Sequence, residues 1–177
     1  MSSHHWRTRR QLCRDLALAA AGLSAGSFAA KARAGEPIAD RILVLKSQRV
    51  LLLMRGERRL AQFPIALGAH PIGPKQRQGD QRTPEGLYHV DGFNPRSRYH
   101  RALHISYPNE WDVQRALAAG FQPGGDIEIH GLPPDFAHYD PVTFHKDWTN
   151  GCISVSDPAM DAIWPRVALG TPVEIRA

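Results

Sequence analysis

Asp126-Ile127-Glu128-Ile129-His130-Gly131 is followed, about 20 residues later, by Thr149-Asn150-Gly151-Cys152-Ile153-Ser154-Val155-Ser156. Side chains alternate across a strand, so residues two apart share a face. In the first stretch Ile127 and Ile129 share one face, and Asp126, Glu128 and His130 the other. In the second, Ile153 and Val155 oppose Cys152, Ser154 and Ser156. A third stretch sets Leu103, Ile105 and Tyr107 against Ala102, His104 and Ser106. Three strands with one apolar and one small or ionisable face predict a sheet packed on a core. If they pair, His130, Cys152 and His104 meet in one cleft. The competing reading is that these polar faces merely meet water, as half-exposed strands usually do.

Outward from this centre, further short strands are predicted at 42–45, 50–54, 58–67, 86–91 and 172–176, the first two joined as a hairpin by Lys46-Ser47-Gln48-Arg49. A loop rich in Gly, Pro and charge fills 68–84. Residues 109–119 predict a helix with Trp111, Val113, Leu117 and Ala118 as its apolar positions and Gly120 as its stop. Asp157 predicts an N-cap with Pro158 at the first helical position, and Pro165 the end or kink of that helix. Many short strands with two or three short helices give a mainly β fold, a sandwich or barrel.

The 177 residues suit a single domain preceded by a targeting segment. Arg9 and Arg10 stand before a short apolar run from Leu16 to Ala30, and Ala32-Arg33-Ala34 offers a small-x-small cleavage site. This is the layout of a secretory signal of the twin-arginine type, over residues 1–34, leaving a catalytic domain at 35–177. The apolar run is short for a bilayer span, so no lasting membrane span is expected after cleavage; a retained anchor is the alternative. The formal charge of +5 comes largely from this segment, and the remainder holds 16 basic and 16 acidic residues. A nucleic-acid partner needs a basic footprint that is then lost. Cys13 leaves with the signal, so Cys152 is an unpaired thiol in an exported protein, either reactive or a buried small hydrophobe.

The neighbours of Cys152 favour reactivity. A thiol attacks as its thiolate, which a nearby histidine can generate. Gly151 and Gly131 remove side chains beside Cys152 and His130, leaving room for substrate. The connection from Gly131 to Asn150 exceeds most connections in compact domains, which favours a lid or binding loop. Pro133, Pro134, Phe136, Tyr139, Phe144 and Trp148 are its candidate walls, and His145 a reserve base.

Ile129-His130-Gly131 with Thr149-Asn150-Gly151-Cys152-Ile153 resembles the catalytic signature of the L,D-transpeptidase (YkuD-type) domain. Gly79-Asp80-Gln81-Arg82-Thr83-Pro84-Glu85-Gly86 and Leu103-His104-Ile105-Ser106-Tyr107-Pro108-Asn109 add to it. The resemblance implies a mixed β-sheet, a periplasmic location, peptidoglycan stem peptides as substrate and no cofactor. It implies Cys152 as nucleophile, His130 as base, the Gly131 carbonyl as the group orienting His130, and Gly151 as part of an oxyanion hole. His104, Glu128, Thr149, Asn150, Ser154 and Arg98 are candidate substrate-binding residues, and a monomer is expected. Two positions depart from the commoner form of the signature: Asn150 stands where His is usual, and Ser154 where Arg or Asn is usual. These changes resemble a divergent branch, for which hydrolysis of material attached to peptidoglycan is the alternative to transfer.

Two rivals belong to other classes. His130, His138, His145, Cys152 and Asp157 offer metal ligands, but no CxxC or HExxH spacing occurs. A non-catalytic wall-binding module explains export and the aromatic loop, but not the His-Gly and Gly-Cys pairs.

The export reading has a direct test. Lysine at both Arg9 and Arg10 is expected to block appearance of the protein outside the cytoplasm in a fractionation assay. Normal yield there overturns the route.

Overall fold

The computed structural model describes residues 38–136 and 146–177, all within the compact unit Gly35–Ala177. The expectations placed on residues 1–34, and on His138, Tyr139, Phe144 and His145, lie outside the described residues.

Eight strands form one mixed sheet. β1 (Arg41–Leu45) and β2 (Val50–Arg55) are the expected hairpin, and β3 (Arg58–Pro64) adds antiparallel to β2. β8 (Pro172–Arg176) lies parallel to β1. β4 (Gly86–Ser97) pairs with β8 through Gly86–His89, then with β5 (His100–Ile105) through its later residues. β6 (Glu128–His130) joins β5 antiparallel, and β7 (Ile153–Ser154) joins β6 parallel. The order is therefore β3-β2-β1-β8-β4-β5-β6-β7. The segment after β3 links the two edges: Ala66 and Ser154 exchange two backbone hydrogen bonds of 2.9 Å. The predicted mainly β fold is thus observed, with α1 (Glu110–Ala118), α2 (Asp157–Ile163) and two short 3-10 turns.

The apolar faces read from the sequence form the core. Leu103, Ile105, Ile129 and Ile153 are fully buried and pack with Ile42, Val44, Leu51, Leu53 and Val90. Met160 and Ile163 bring α2 onto the same core. Each such side chain stabilises the fold by about 1.5–3 kcal/mol relative to exposure.

Several boundaries differ from expectation. β4 runs on to Ser97 instead of stopping at Asp91. Gly92, Asn94 and Pro95 read as breakers, yet the register shifts between Val90 and Gly92 and again between Asn94 and Ser97. Bulges accommodate these residues and let the strand pass from β8 to β5. β3 ends at Pro64 rather than 67, β5 spans 100–105 rather than 102–107, and β7 is only two residues long. β6 begins at Glu128 because Asp126 has φ +55°, outside strand geometry. Cys152 precedes its strand rather than lying in it.

The helices also depart in detail. α1 buries Asp112 and Ala116, while Trp111 and Leu117 are exposed. Asp112 closes a capping box with Asn109, accepts from the Tyr88 hydroxyl at 2.9 Å, and pairs with Arg115 at 2.9 Å. Polar satisfaction, not apolar spacing, turns this helix inward. The N-cap of α2 is Ser156, whose Oγ accepts from the Ala159 N–H; Asp157 instead accepts from Leu132 N at 2.8 Å. Pro165 lies in the 3-10 turn Trp164–Arg166 that ends α2.

The polar loop before β4 is held from within. The buried Lys46 ammonium donates to Gly73 O, Thr83 O and Glu85 Oε1 at 2.8, 2.9 and 2.8 Å. Burial holds its pKa below the ordinary lysine value, partly offset by Glu85. Burial alone raises the Asp80 carboxyl; Lys75 and the N–H groups of Gln76, Arg77 and Arg82 outweigh it and hold the group below the ordinary carboxylate range.

Lys46→Met is expected to cost about 2–4 kcal/mol in urea unfolding, because breaking a buried pair strands its partner. Pairing it with Glu85→Leu is expected to recover part of that loss. A single variant as stable as the parent refutes the clamp.

Candidate active site

Strand pairing gathers the polar residues on one face. Ala102 stands opposite His130 and His104 opposite Glu128 across β5 and β6; His130 stands beside Ser154 across β6 and β7. Register thus puts His104, Glu128, His130 and Ser154 on one face of β5, β6 and β7, and Cys152 immediately precedes β7.

His130 is buried, with 2% of its surface exposed, so its end of the face does not meet water. Its Nδ1 donates to the Gly131 carbonyl at 2.7 Å. Donation from Nδ1 makes Nε2 the unprotonated nitrogen of a neutral ring. The ring stacks on Tyr99, centroids 4.6 Å apart at 28°, and meets Trp148 edge-on at 5.9 Å. Burial lowers the pKa of His130; the bond to Gly131 only partly offsets this. Neutral imidazole is the resting form.

Gly131 is glycine for a reason other than the room for substrate expected of it. A Cβ there meets Asp157 Oδ1 at 2.5 Å, His100 Cβ at 2.9 Å and Tyr99 O at 2.9 Å. The backbone of residues 99–100 and the start of α2 close on this point. The Ser154 hydroxyl also donates to the Gly131 carbonyl, at 3.4 Å. Ser154 is fully buried, so it braces this carbonyl rather than touching substrate.

Cys152 is half-buried, and its Sγ lies 3.6 Å from the Asp126 carbonyl. Burial raises its pKa; the Glu128 N–H and Lys75 oppose this, and the Glu128 and Asp126 carboxylates add to it. The resting pair is thiol and imidazole, not thiolate and imidazolium.

The turn that presents Cys152 is self-contained. Thr149 Oγ accepts from Gly151 N at 3.1 Å and donates to Cys152 O at 2.7 Å. Thr149 is buried and its hydroxyl is spent on the turn, which corrects its expected substrate contact. The Gly151 N–H is likewise engaged, so it is not the open oxyanion donor expected of it. Gly151 has φ +129°, and a Cβ there meets Arg82 O at 2.8 Å. The polar loop thus backs directly onto the turn that carries Cys152, and glycine is required at the contact. Upstream, Asp147 pairs with Arg49 at 2.6 Å and accepts from Leu67 N at 2.8 Å, mooring the end of the long connection.

The remaining candidates are spread along the cleft. Glu128 is half-buried, and burial raises its pKa, with His104 lowering it and Asp126 raising it. His104 Nδ1 meets Asp91 at 2.5 Å, and its Nε2 lies 3.9 Å from Asp126. Asn150 is exposed and accepts from Gln81 Nε2 at 3.4 Å. Arg98 is exposed, its guanidinium 5.0 Å over the Tyr99 ring. Among the described residues, no group of three or more His, Cys, Asp or Glu side chains is placed to hold a metal. Tyr99, Asp91 and Lys75 were not singled out from the sequence. Tyr99 lies well beyond a strand read as ending at Asp91, so nothing placed it over His130.

The family model of the L,D-transpeptidase (YkuD) catalytic domain matches residues 39–175. The chain belongs to this family. As an L,D-transpeptidase-family domain, it is similar to YafK of Escherichia coli (strain K12), 38% identical over 103 residues, 55% of this chain and 39% of that protein. It therefore spans well under half the length of this curated relative. Among solved structures it is similar to Pgp2 of Campylobacter jejuni, described as a helical cell shape determining protein, with a TM-score of 0.59 and 26% identity over 76% of this chain and 46% of that one. It shares its fold with Bd1075 of Bdellovibrio bacteriovorus, with a TM-score of 0.54 and 24% identity over 77% of this chain and 47% of that one.

The thiol gives a pH test of the site. A raised pKa means thiolate forms only at higher pH, so alkylation by iodoacetamide is expected to keep accelerating past about pH 8.5, the free-thiol midpoint. Glu128→Gln removes a negative charge that opposes thiolate and is expected to move the midpoint down. A midpoint at or below neutrality contradicts the neutral pair.

Proposed function

We propose that this domain performs acyl transfer on peptidoglycan stem peptides through a thioester at Cys152. The observation that carries this reading is the pinned imidazole. His130 Nδ1 is committed to the Gly131 carbonyl, and the next strand of the sheet begins immediately after Cys152. That arrangement supplies an oriented base beside a thiol.

The Sγ attacks the carbonyl of the third stem residue, at its L-centre, while His130 Nε2 takes the thiol proton. The resulting imidazolium gives that proton to the departing nitrogen of the terminal D-residue, leaving a thioester and a neutral histidine. Because both groups rest uncharged, the thiolate forms only as the carbonyl is attacked. Positioned proton transfer of this kind contributes about 100- to 10,000-fold. With the Gly151 N–H held by Thr149, the Cys152 N–H is the candidate donor to the oxyanion. Ser154 stands in for the Arg or Asn of the commoner signature by bracing the Gly131 carbonyl. An amine from a second stem then resolves the thioester; water in its place gives the hydrolase reading. Action on the wall places the domain outside the cytoplasm, which agrees with a signal over residues 1–34. Among the described residues no helix is long and apolar enough to cross a membrane.

Single-turnover thioester formation, followed by intact-protein mass on disaccharide tetrapeptide, tests the assignment. Cys152→Ser is expected to abolish the adduct, and His130→Ala to slow it at least about 100-fold, both with native unfolding profiles. His145→Ala is expected to act on substrate binding instead. If His145→Ala stops acylation and His130→Ala does not, the base lies in the long connection.

A further inference from the structure

We infer that His104, held by Asp91, is the base that activates the acceptor in the second half-reaction, while His130 serves the first. This deepens the proposed function and rests on it.

The two histidines differ in exposure. His130 is enclosed by Tyr99 and Trp148 and almost wholly buried. An acceptor must enter from solvent once the leaving residue has gone, and the His104 side chain is 34% exposed. It stands directly opposite Glu128 across β5 and β6, and the Glu128 N–H faces Sγ. Its Nε2 points toward Asp126, 3.9 Å away, and Cys152 Sγ reaches the Asp126 carbonyl at 3.6 Å. Nε2 and Sγ thus both lie near Asp126, the first at its side chain and the second at its backbone carbonyl.

The dyad is built, not incidental. The bulge in β4 between Val90 and Gly92 re-aims a side chain, and Asp91 at that point reaches Nδ1 at 2.5 Å. A Cβ at Gly92 meets the His104 Cβ at 3.2 Å, so glycine lets the imidazole lie close over β4. A carboxylate on Nδ1 fixes the tautomer with Nε2 as acceptor, the orienting arrangement that general-base histidines need. The carboxylates of Asp126 and Glu128 border the same space and favour a cationic amine as the acceptor.

The step balances simply. An ammonium drawn to these carboxylates first loses one proton to solvent; the free amine nitrogen then forms a bond to the thioester carbon, and the carbon–sulfur bond breaks. The acceptor's proton moves to His104 Nε2 and passes through solvent to the departing Sγ, restoring thiol and neutral imidazole. Water as acceptor follows the same path, with an oxygen in place of the nitrogen.

The experiment is pre-steady-state mass spectrometry of the full chain with disaccharide tetrapeptide, with and without an added stem-peptide amine. His104→Gln is expected to keep the acylation burst within about threefold, lower turnover about 100-fold, and make the thioester the main enzyme species. In His104→Ala, free imidazole is expected to restore turnover at least about tenfold, which a purely structural loss does not allow. Asp91→Asn, which keeps a hydrogen-bond partner for Nδ1, is expected to accumulate thioester to a smaller extent. A larger effect on the amine arm than on the water arm supports an amine acceptor; an equal effect on both supports the base and overturns that preference. The inference is overturned if His104→Gln turns over normally with no accumulation, or if burst and turnover fall together and imidazole restores neither. If the unsubstituted enzyme forms no thioester at all, the proposed function fails and the inference falls with it.

Discussion

The Gly131 carbonyl is the point on which the site turns. It accepts from His130 Nδ1 at 2.7 Å and from the Ser154 hydroxyl at 3.4 Å, so it joins two adjacent strands through their side chains. Its own N–H is held by Arg101 O at 3.2 Å, and the next residue, Leu132, donates to Asp157. No side chain fits at residue 131, because Asp157 and the backbone of residues 99–100 already occupy that space. The tautomer of His130, the placement of Tyr99 against its ring and the docking of α2 all depend on this close approach.

A second constraint acts at the thiol. Cys152 sits outside the regular ladder, on a turn whose hydrogen bonds are supplied by Thr149 and whose back is packed on the Arg82 carbonyl. The Arg82 segment is in turn fixed by Lys46 and Asp80, two charged groups satisfied by main-chain partners and an opposite charge. A long polar loop becomes a rigid wall by this means, although it contains no regular strand or helix. Burying a charge is tolerable there because each is paired and hydrogen-bonded.

The electrostatics of the cleft run opposite to an ion-pair picture of cysteine catalysis. Burial lowers the pKa of His130 and raises that of Cys152, so each group rests in its neutral form. Acid side chains gather around His104, at Asp91, Asp126 and Glu128. Aromatic rings thus enclose His130, whereas carboxylates surround His104.

Alternation within a strand is local, so the apolar faces of Leu103, Ile105, Ile129 and Ile153, and the polar face carrying His104, Glu128 and His130, were legible in the residues alone. So were the hairpin of β1 and β2 and the mainly β class. The His-Gly and Gly-Cys pairs were legible as chemistry, because few alternatives put a thiol and an imidazole beside glycines. The path of β4 beyond Asp91 was not, since Gly92, Asn94 and Pro95 are breakers unless bulges absorb them, and bulges are set by the neighbouring strand. With that path went Tyr99 and Asp91, the partners of the two histidines. The inward turn of Asp112, the capping by Ser156 and the internal roles of Thr149 and Ser154 likewise depend on groups distant in the chain. The sequence by itself determined which faces the candidate residues share; only the tertiary structure decided what each one touches, because those contacts are made between strands whose register and bulges no local pattern encodes.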